Sequence, residues 1–140
     1  MPIYPTAEQI LIYAGTYFRA EWYYTDAGER PAFRYYDRLS DLDQNRFDHL
    51  IVLFCDTQPG TILPKKLYRV EDKINKVYAF KPGPQRFFNF TTDGAKVIVT
   101  NAYRKHSDEM TKQDLELLKV AARCRADYLR RNQEGTYYER

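Results

Sequence analysis

Apolar and polar residues follow the most regular pattern between Val77 and Tyr103, where short turns separate three hydrophobic runs. Aromatic and β-branched residues dominate these runs and favour extended structure, which predicts the strands Val77–Phe80, Arg86–Thr91 and Lys96–Tyr103. Pro82-Gly83-Pro84 predicts a rigid turn after the first strand. Asp93-Gly94 predicts a type I′ hairpin after the second, because both residues tolerate positive φ. Neighbouring strands in this region should therefore be antiparallel.

Helical periodicity lies on both sides of these strands. Ser40 and Asp43 predict a helix N-terminus, and apolar residues follow it at i, i+3, i+4 and i+7, namely Phe47, Leu50, Ile51 and Phe54. A second long helix is predicted from Thr111 to about Arg131, with one apolar face formed by Leu117, Leu118, Ala121, Cys124 and Tyr128. Arg30-Pro31 predicts the start of a shorter helix that reaches Leu39.

The remaining segments give weaker signals. Phe18–Thr25 has the alternation of a strand. Thr6 and Gln9 could cap a short helix that continues to Ala14, although Ile10–Tyr13 suits a strand equally well. Ile62–Val70 contains a proline and several cations, which predicts a loop leading into a short edge segment.

This order of elements, strand, two helices, several strands and a final helix, predicts an α+β fold. We expect a small, twisted, mostly antiparallel sheet with helices packed on one face and the other face partly open. Residues 1–140 should form a single domain, with residues 1–16 as an N-terminal extension and residues 132–140 as a polar tail.

Composition limits the class of protein further. The N-terminus lacks the pattern of a signal peptide, and no apolar run approaches the length of a membrane span, so a cytoplasmic location is expected. The chain has two cysteines, Cys55 and Cys124, which lie in apolar patterns without metal-type spacing and are expected in the core. Common nucleotide, metal and nucleophile motifs are missing from the sequence, so no cofactor and no metal are predicted.

Charge is distributed unevenly along the chain. The formal net charge is +3, but residues 1–60 carry a net charge near −4 and residues 61–140 one near +7. A basic half suits an anionic partner, with nucleic acid as the first candidate and a solvated basic surface as the alternative.

The candidate chemistry lies at the end of the last predicted strand, where Arg104, Lys105 and His106 follow one another beside Arg86 of the preceding strand. RNA cleavage by the 2′-hydroxyl needs a proton acceptor, cations on the phosphate and a proton for the leaving oxygen. Arg86, Lys105 and His106 are therefore the predicted catalytic residues. The cations beside His106 favour its neutral imidazole, which can accept a proton.

Further residues could bind RNA through charge or through base stacking. The predicted cations are Lys65, Lys66, Arg69, Lys81 and Arg104, and the predicted stacking residues are Phe88, Tyr103, Tyr137 and Tyr138. In the alternative interpretation, Arg86 pairs with a carboxylate and residues 104–106 form a solvated turn. The acidic pairs Glu71-Asp72 and Asp108-Glu109 are interpreted as loop charges.

Four blocks of the chain resemble RelE/HigB-like toxins of type II toxin–antitoxin systems, especially the phage-associated HigB-like branch. The similar blocks are Val77–Lys81, Gln85–Phe88, Val97–Lys105 and Asp127–Arg131, and the resemblance extends over about residues 18 to 131. It assigns the family's phosphate-binding arginine to Arg86. Three positions depart from the family pattern: His106 replaces the second lysine of a pair, Glu109-Met110-Thr111 lacks the usual proline, and Ala79 replaces a glutamate.

The resemblance implies a metal-independent endoribonuclease that cleaves mRNA, often on the ribosome, and so inhibits translation. It also implies a cognate antitoxin, usually with a DNA-binding helix-turn-helix, as a partner. The acidic residues 108 and 109 near the basic cluster motivate the alternative function: a non-catalytic binding protein of the same fold, or one that acts on DNA gyrase.

Overall fold

A computed structural model describes residues 3–138, so the outermost two residues of the predicted extension and of the predicted tail lie outside the described part. The first half contains α1 (Ala7–Ile10), β1 (Leu11–Ala14), β2 (Arg19–Trp22), α2 (Pro31–Asp37) and α3 (Asp41–Cys55). The second half contains β3 (Tyr68–Asp72), β4 (Val77–Phe80), β5 (Gln85–Thr91), β6 (Lys96–Arg104) and α4 (Lys112–Gln133).

The six strands form one open sheet in the order β1-β2-β6-β5-β4-β3. Neighbouring strands are antiparallel except for β2 and β6, which pair in parallel with Ala20 opposite Val97. A parallel pair needs a long crossover connection, and the chain between β2 and β6 includes α2, α3 and the strands β3, β4 and β5. The predicted α+β class with a mostly antiparallel sheet is confirmed.

Helices cover both faces of the sheet, so the expectation of helices on one face is wrong. Alternate residues of β6 show the arrangement: Val97 and Val99 join the core cluster formed with α2 and α3. Ile98 faces the opposite side, where Cys124 and Tyr128 of α4 lie in the same cluster. Period-two alternation cannot show this arrangement, because a strand buried on both faces simply reads as a continuous apolar run. We call the sheet face that packs against α4 the second face. The part of this face that no helix covers lies next to the N-terminal end of α4.

The two interpretations of the N-terminal segment are both partly correct. Thr6 and Gln9 form the predicted capping box, with the Thr6 side chain accepting a hydrogen bond from the Gln9 amide and the Gln9 side chain accepting one from the Thr6 amide. The helix ends at Ile10, and the next four residues form β1. The segment therefore changes from helix to strand within one apolar run.

The hairpin between β5 and β6 differs from the predicted type I′ turn. Gly94 does not have positive φ, whereas Ala95 has a φ of 59°. The Ala95 amide donates to the Thr92 carbonyl at 3.2 Å, and the Thr92 amide donates to the Lys96 carbonyl at 2.9 Å. This is a three-residue loop whose last residue is left-handed, a position that usually holds glycine.

The C-terminal tyrosines, which lie in the polar tail, pack against the rest of the domain. Tyr137 is 1% exposed, and its hydroxyl accepts a hydrogen bond from the Tyr24 amide at 3.0 Å. Arg131 is buried beside it, where its guanidinium donates to Asp127 and to the Tyr24 carbonyl. These contacts hold residues 137–138 against β2 and α4. Both cysteines are buried and free, as predicted.

None of the helices within residues 3–138 has the length and apolar character needed to cross a lipid bilayer.

The left-handed conformation of Ala95 predicts that Ala95→Gly stabilises the protein. A non-glycine residue in this conformation costs about 1 kcal/mol, so the free energy of unfolding in urea should rise by about that amount. The same substitution at the exposed helical Ala126 is the control, and it should lower stability by about 0.5–1 kcal/mol because glycine disfavours helix. A fall in stability for Ala95→Gly would contradict the assigned turn.

Candidate functional site

A concave basic pocket of about 580 Å³ lies on the second sheet face, next to the start of α4. Residues from the strands β3, β5 and β6, from the β4–β5 turn and from the β6–α4 loop line it: Arg69, Glu71, Lys81, Arg86, Tyr103, Lys105, His106, Ser107, Asp108 and Met110. We call this set the basic pocket. Four lysine and arginine side chains face two carboxylates in it, so the pocket has an excess of positive charge.

Arg86 is held in the pocket by the backbone of its own turn. Its Nη1 donates to the Gly83 carbonyl at 2.7 Å and to the Gln85 carbonyl at 2.8 Å. Gly83 has a φ of 63°, a conformation that glycine adopts without strain. Burial lowers the pKa of Arg86 from its ordinary value. The guanidinium is therefore fixed by one nitrogen, which leaves its other donors for a ligand.

Lys81 lies next to Arg86 and is also held by a backbone oxygen. Its Nζ donates to the Lys65 carbonyl at 3.1 Å. Burial lowers the pKa of Lys81, and the charges of Arg86, Arg69 and Lys105 lower it further. Glu71 opposes this effect. A bound anion would relieve the repulsion among these cations.

Two acidic residues balance part of this charge. The Arg69 Nε lies 3.4 Å from Glu71 Oε1 on β3. On the other side, Lys105 Nζ lies 3.9 Å from Asp114 Oδ2 in the first turn of α4. Asp114 also forms the α4 capping box with Thr111. The carboxylate that starts the helix therefore also orients a cation of the pocket.

Tyr103 forms part of the pocket floor. It lies opposite Arg86 in the β5–β6 register and is 8% exposed. Burial, with smaller contributions from Asp114 and Glu71, raises the pKa of Tyr103 to about 12. Its hydroxyl is therefore protonated at neutral pH. Its low exposure leaves little ring surface for a base to stack on.

His106 lies in the exposed loop that leads from β6 to α4. The loop is anchored on one side by the Lys105 amide, which donates to the Pro84 carbonyl at 2.9 Å. On the other side, Met110 packs against the core cluster under α4. Asp108 also lines the pocket, so this carboxylate contributes to the site in addition to lying in a loop.

Three of the predicted RNA-binding cations lie outside the basic pocket. Arg104 follows Tyr103 in an extended strand, so it faces the opposite side of the sheet, where its charge acts on Tyr35 of α2. Lys65 and Lys66 are exposed in the loop before β3 and do not line the pocket, although the Lys65 carbonyl holds Lys81. The prediction for Arg104 as part of the same cluster is wrong, because consecutive strand residues point to opposite faces.

The predicted stacking residues are also not gathered at the pocket. Phe88 is fully buried, and its ring centroid lies 5.5 Å from that of Tyr103. Tyr137 is a core residue and cannot stack on a base. Tyr138 is exposed in part, and its hydroxyl donates to Glu21 Oε1 at 2.6 Å. Both C-terminal tyrosines pack beside Tyr128, in the C-terminal half of α4, whereas the basic pocket lies next to the start of this helix.

Glu71 and Asp114 are the site residues that sequence reasoning missed. Glu71 lies on β3 with its carboxylate largely covered, so its interpretation as a loop charge is wrong. The available signal was the spacing of Arg69 and Glu71, because residues two positions apart on a strand point to the same face. The capping pattern Thr111 with Asp114 marked the helix start but gave no sign that Asp114 reaches Lys105.

Comparison with models of known protein families finds no match, and comparison with curated proteins finds none either. No group of three or more His, Cys, Asp or Glu side chains among residues 3–138 is arranged to hold a metal ion.

Repulsion within the basic pocket predicts the titration of Lys81. The pKa of Lys81, measured by NMR from the chemical shift of its Cε, should lie below the usual value for lysine. This pKa should rise in Arg86→Gln and fall in Glu71→Gln. The two variants remove charges of opposite sign and control for each other. The pKa of Lys81 is lower in the folded protein than in the unfolded chain. At pH values between these two pKa values the unfolded chain binds more protons, so the contribution of Lys81 to stability increases as the pH rises through this range. An unchanged pKa in both variants would contradict the clustering.

Proposed function

We propose that the protein is an endoribonuclease that cleaves single-stranded RNA, without a metal ion, in the basic pocket. The observation that carries this proposal is the convergence of Arg69, Lys81, Arg86 and Lys105, together with His106, in one concave site. Positive charge held in a partly buried pocket attracts a phosphate group, and it stabilises the negative charge that develops on the phosphoryl oxygens during cleavage.

The proposed chemistry begins with the 2′-hydroxyl next to the scissile phosphate. His106 accepts the hydroxyl proton while the 2′-oxygen forms a bond to phosphorus. The bond from phosphorus to the 5′-oxygen then breaks, and Lys105 supplies the proton that the leaving oxygen takes. The products are a 2′,3′-cyclic phosphate and a 5′-hydroxyl end. Arg86 binds the phosphate oxygens throughout, because its guanidinium is already fixed by two carbonyls.

We further propose that the protein is a toxin of the RelE/HigB-like kind. Its substrate would then be mRNA, with the ribosome as the place of cleavage, and its inhibitor an antitoxin that carries a helix-turn-helix. The support for this step is the sequence resemblance together with the fact that Arg86, Lys105 and His106 line the same pocket. A cytoplasmic location follows from this substrate.

Loss of the fixed guanidinium should abolish most of the activity. Arg86→Ala should lower RNA cleavage by about a hundredfold or more, as removal of one preorganised donor does. Arg104→Ala is the matched control, since Arg104 is an exposed arginine on the neighbouring strand that faces the other side of the sheet. Cleavage is measured by primer extension on a defined transcript, and folding by circular dichroism. Induced expression of the unaltered protein should stop growth, and expression of Arg86→Ala should not.

Two outcomes would contradict the proposal. If the soluble protein, free of any inhibitor, leaves RNA uncut both alone and in the presence of translating ribosomes, then the endoribonuclease activity is wrong. If growth still stops with Arg86→Ala while transcripts remain intact, the protein acts as a binding protein, and gyrase binding becomes the next assay.

A further inference from the structure

A second groove of about 540 Å³ lies along the outer edge of the sheet, on and beside β3. Three features define this edge groove: the rings of Tyr68 and Tyr78, the cations Lys65, Arg69 and Lys73, and the loop of residues 61–63. None of the proposed catalytic groups Arg86, Lys105 and His106 lines it. The edge groove therefore needs an explanation of its own.

Arg69 connects the edge groove to the basic pocket, because its side chain lines both. A second link is the hydrogen bond from Lys81 Nζ, in the basic pocket, to the carbonyl of Lys65, in the edge groove. The two concave sites are thus neighbours across a single strand. Tyr68 and Tyr78 lie on the α3 side of the sheet and the basic pocket lies on the α4 side. A chain molecule with one phosphate in the basic pocket would therefore pass around the edge strand β3 into the edge groove.

The two tyrosines form a short aromatic stack beside this path. Their rings are parallel within 2°, with centroids 5.2 Å apart. Tyr68 packs inward on Phe54 and Phe80. Tyr78, in contrast, contacts a single ring within residues 3–138, that of Tyr68. Tyr78 is half-buried on β4, which pairs with β3 on one side and with β5 on the other. A planar base could continue this stack on Tyr78.

The charge of the edge groove favours a phosphate backbone. Lys65 and Lys73 are exposed, and the Arg69 side chain is 52% exposed. The nearby Asp72 carboxylate does not line the edge groove. It accepts hydrogen bonds from the Asn75 amide at 3.0 Å and from the Asn75 side chain at 2.8 Å, in the turn after β3. Cations that follow a backbone, next to an aromatic surface for bases, are the usual features of single-stranded nucleic-acid sites.

We propose that the edge groove binds the nucleotides adjacent to the scissile phosphate, with one base stacked on Tyr78 and the neighbouring phosphates on Lys65 and Lys73. The proposal rests on RNA being the ligand of the basic pocket. It gives the substrate a direction, from the basic pocket around β3 to Tyr78, and it makes single-stranded RNA the required form, since a paired base cannot stack on a side chain.

The test uses a fluorescent RNA of ten nucleotides with 2′-O-methyl groups throughout, which cannot be cleaved, and measures affinity by anisotropy. Tyr78→Ala should weaken binding about fivefold to a hundredfold, the range for loss of one stacked base. Tyr78→Phe keeps the ring and should bind within about twofold of the unaltered protein. Unchanged binding by a folded Tyr78→Ala variant would overturn the proposal.

A second pair of variants covers the case in which Tyr78→Ala does not fold. The double variant Lys65→Ser with Lys73→Ser should lower the salt dependence of binding by about 1.4 in the log–log slope, the value for two contacts to a single strand. Lys119→Ser, an exposed lysine on α4 whose ion pair with Glu116 lies at the surface, is the control and should leave the slope close to that of the unaltered protein. A double variant with the slope of the control would overturn the proposal.

The same protein samples, given unmodified RNA, separate this proposal from the proposed activity. If the protein binds the uncleavable RNA through Tyr78 but cuts no RNA, the binding site stands and the activity fails. If the protein cuts RNA and Tyr78→Ala binds normally, the activity stands and the edge groove is not part of the site. If the unaltered protein neither binds the uncleavable RNA nor cuts the unmodified RNA, both proposals fail.

Discussion

Mutual repulsion among the cations of the basic pocket is the constraint on which the rest of the site depends. Lys81 and Arg86 both have a lowered pKa, first because they are partly buried and, for Lys81, also because other cations surround it. Such a group of charges stays together only if the fold holds each member. Backbone carbonyls hold Arg86 and Lys81, and carboxylates hold Arg69 and Lys105. The pocket is therefore preorganised for an anion that would remove the repulsion.

The sheet provides the rigidity that this arrangement requires. Its central strands are covered on one side by α2 and α3 and on the other by α4, so the strands that carry Arg86 and Tyr103 are fixed by packing on both faces. The pocket opens only where α4 begins, and the capping residue Asp114 reaches Lys105 at this point. The N-terminus of α4 and the basic pocket are thus connected through Asp114. Functional groups on rigid strands keep their geometry better than groups on free loops.

Local patterns in the sequence predicted most of the elements. The bounds of β4 agree with the prediction, and those of β5, β6 and α4 differ by one or two residues at most, because each has strong periodicity and a turn or cap at its ends. The capping box at Thr6 is a local interaction between residues three apart, and it too was predicted from the sequence. The parallel contact of β2 with β6 was not, because it joins residues more than seventy positions apart.

The candidate site was predicted in part, for a related reason. Arg86 and Lys105 could be placed together because adjacent antiparallel strands bring the start of one to the end of the next. Arg104 was assigned to the wrong face, since a cluster of cations in sequence is divided between the two faces of a strand. Tyr137 was misjudged because its burial depends on Tyr24 and Arg131, which are distant in sequence or belong to another element. Glu71 was missed because the edge strand that carries it is short and polar.

Removal of one oxygen atom from the substrate distinguishes attack by the 2′-hydroxyl from every other route of cleavage. Transcripts cut by the protein are mapped, and an RNA is then made with a single 2′-deoxynucleotide on the 5′ side of one mapped bond. Attack by the 2′-hydroxyl predicts that cleavage at this bond is lost while cleavage at other mapped bonds continues. Undiminished cleavage at the deoxy position would contradict the account, since it would require another nucleophile in the basic pocket.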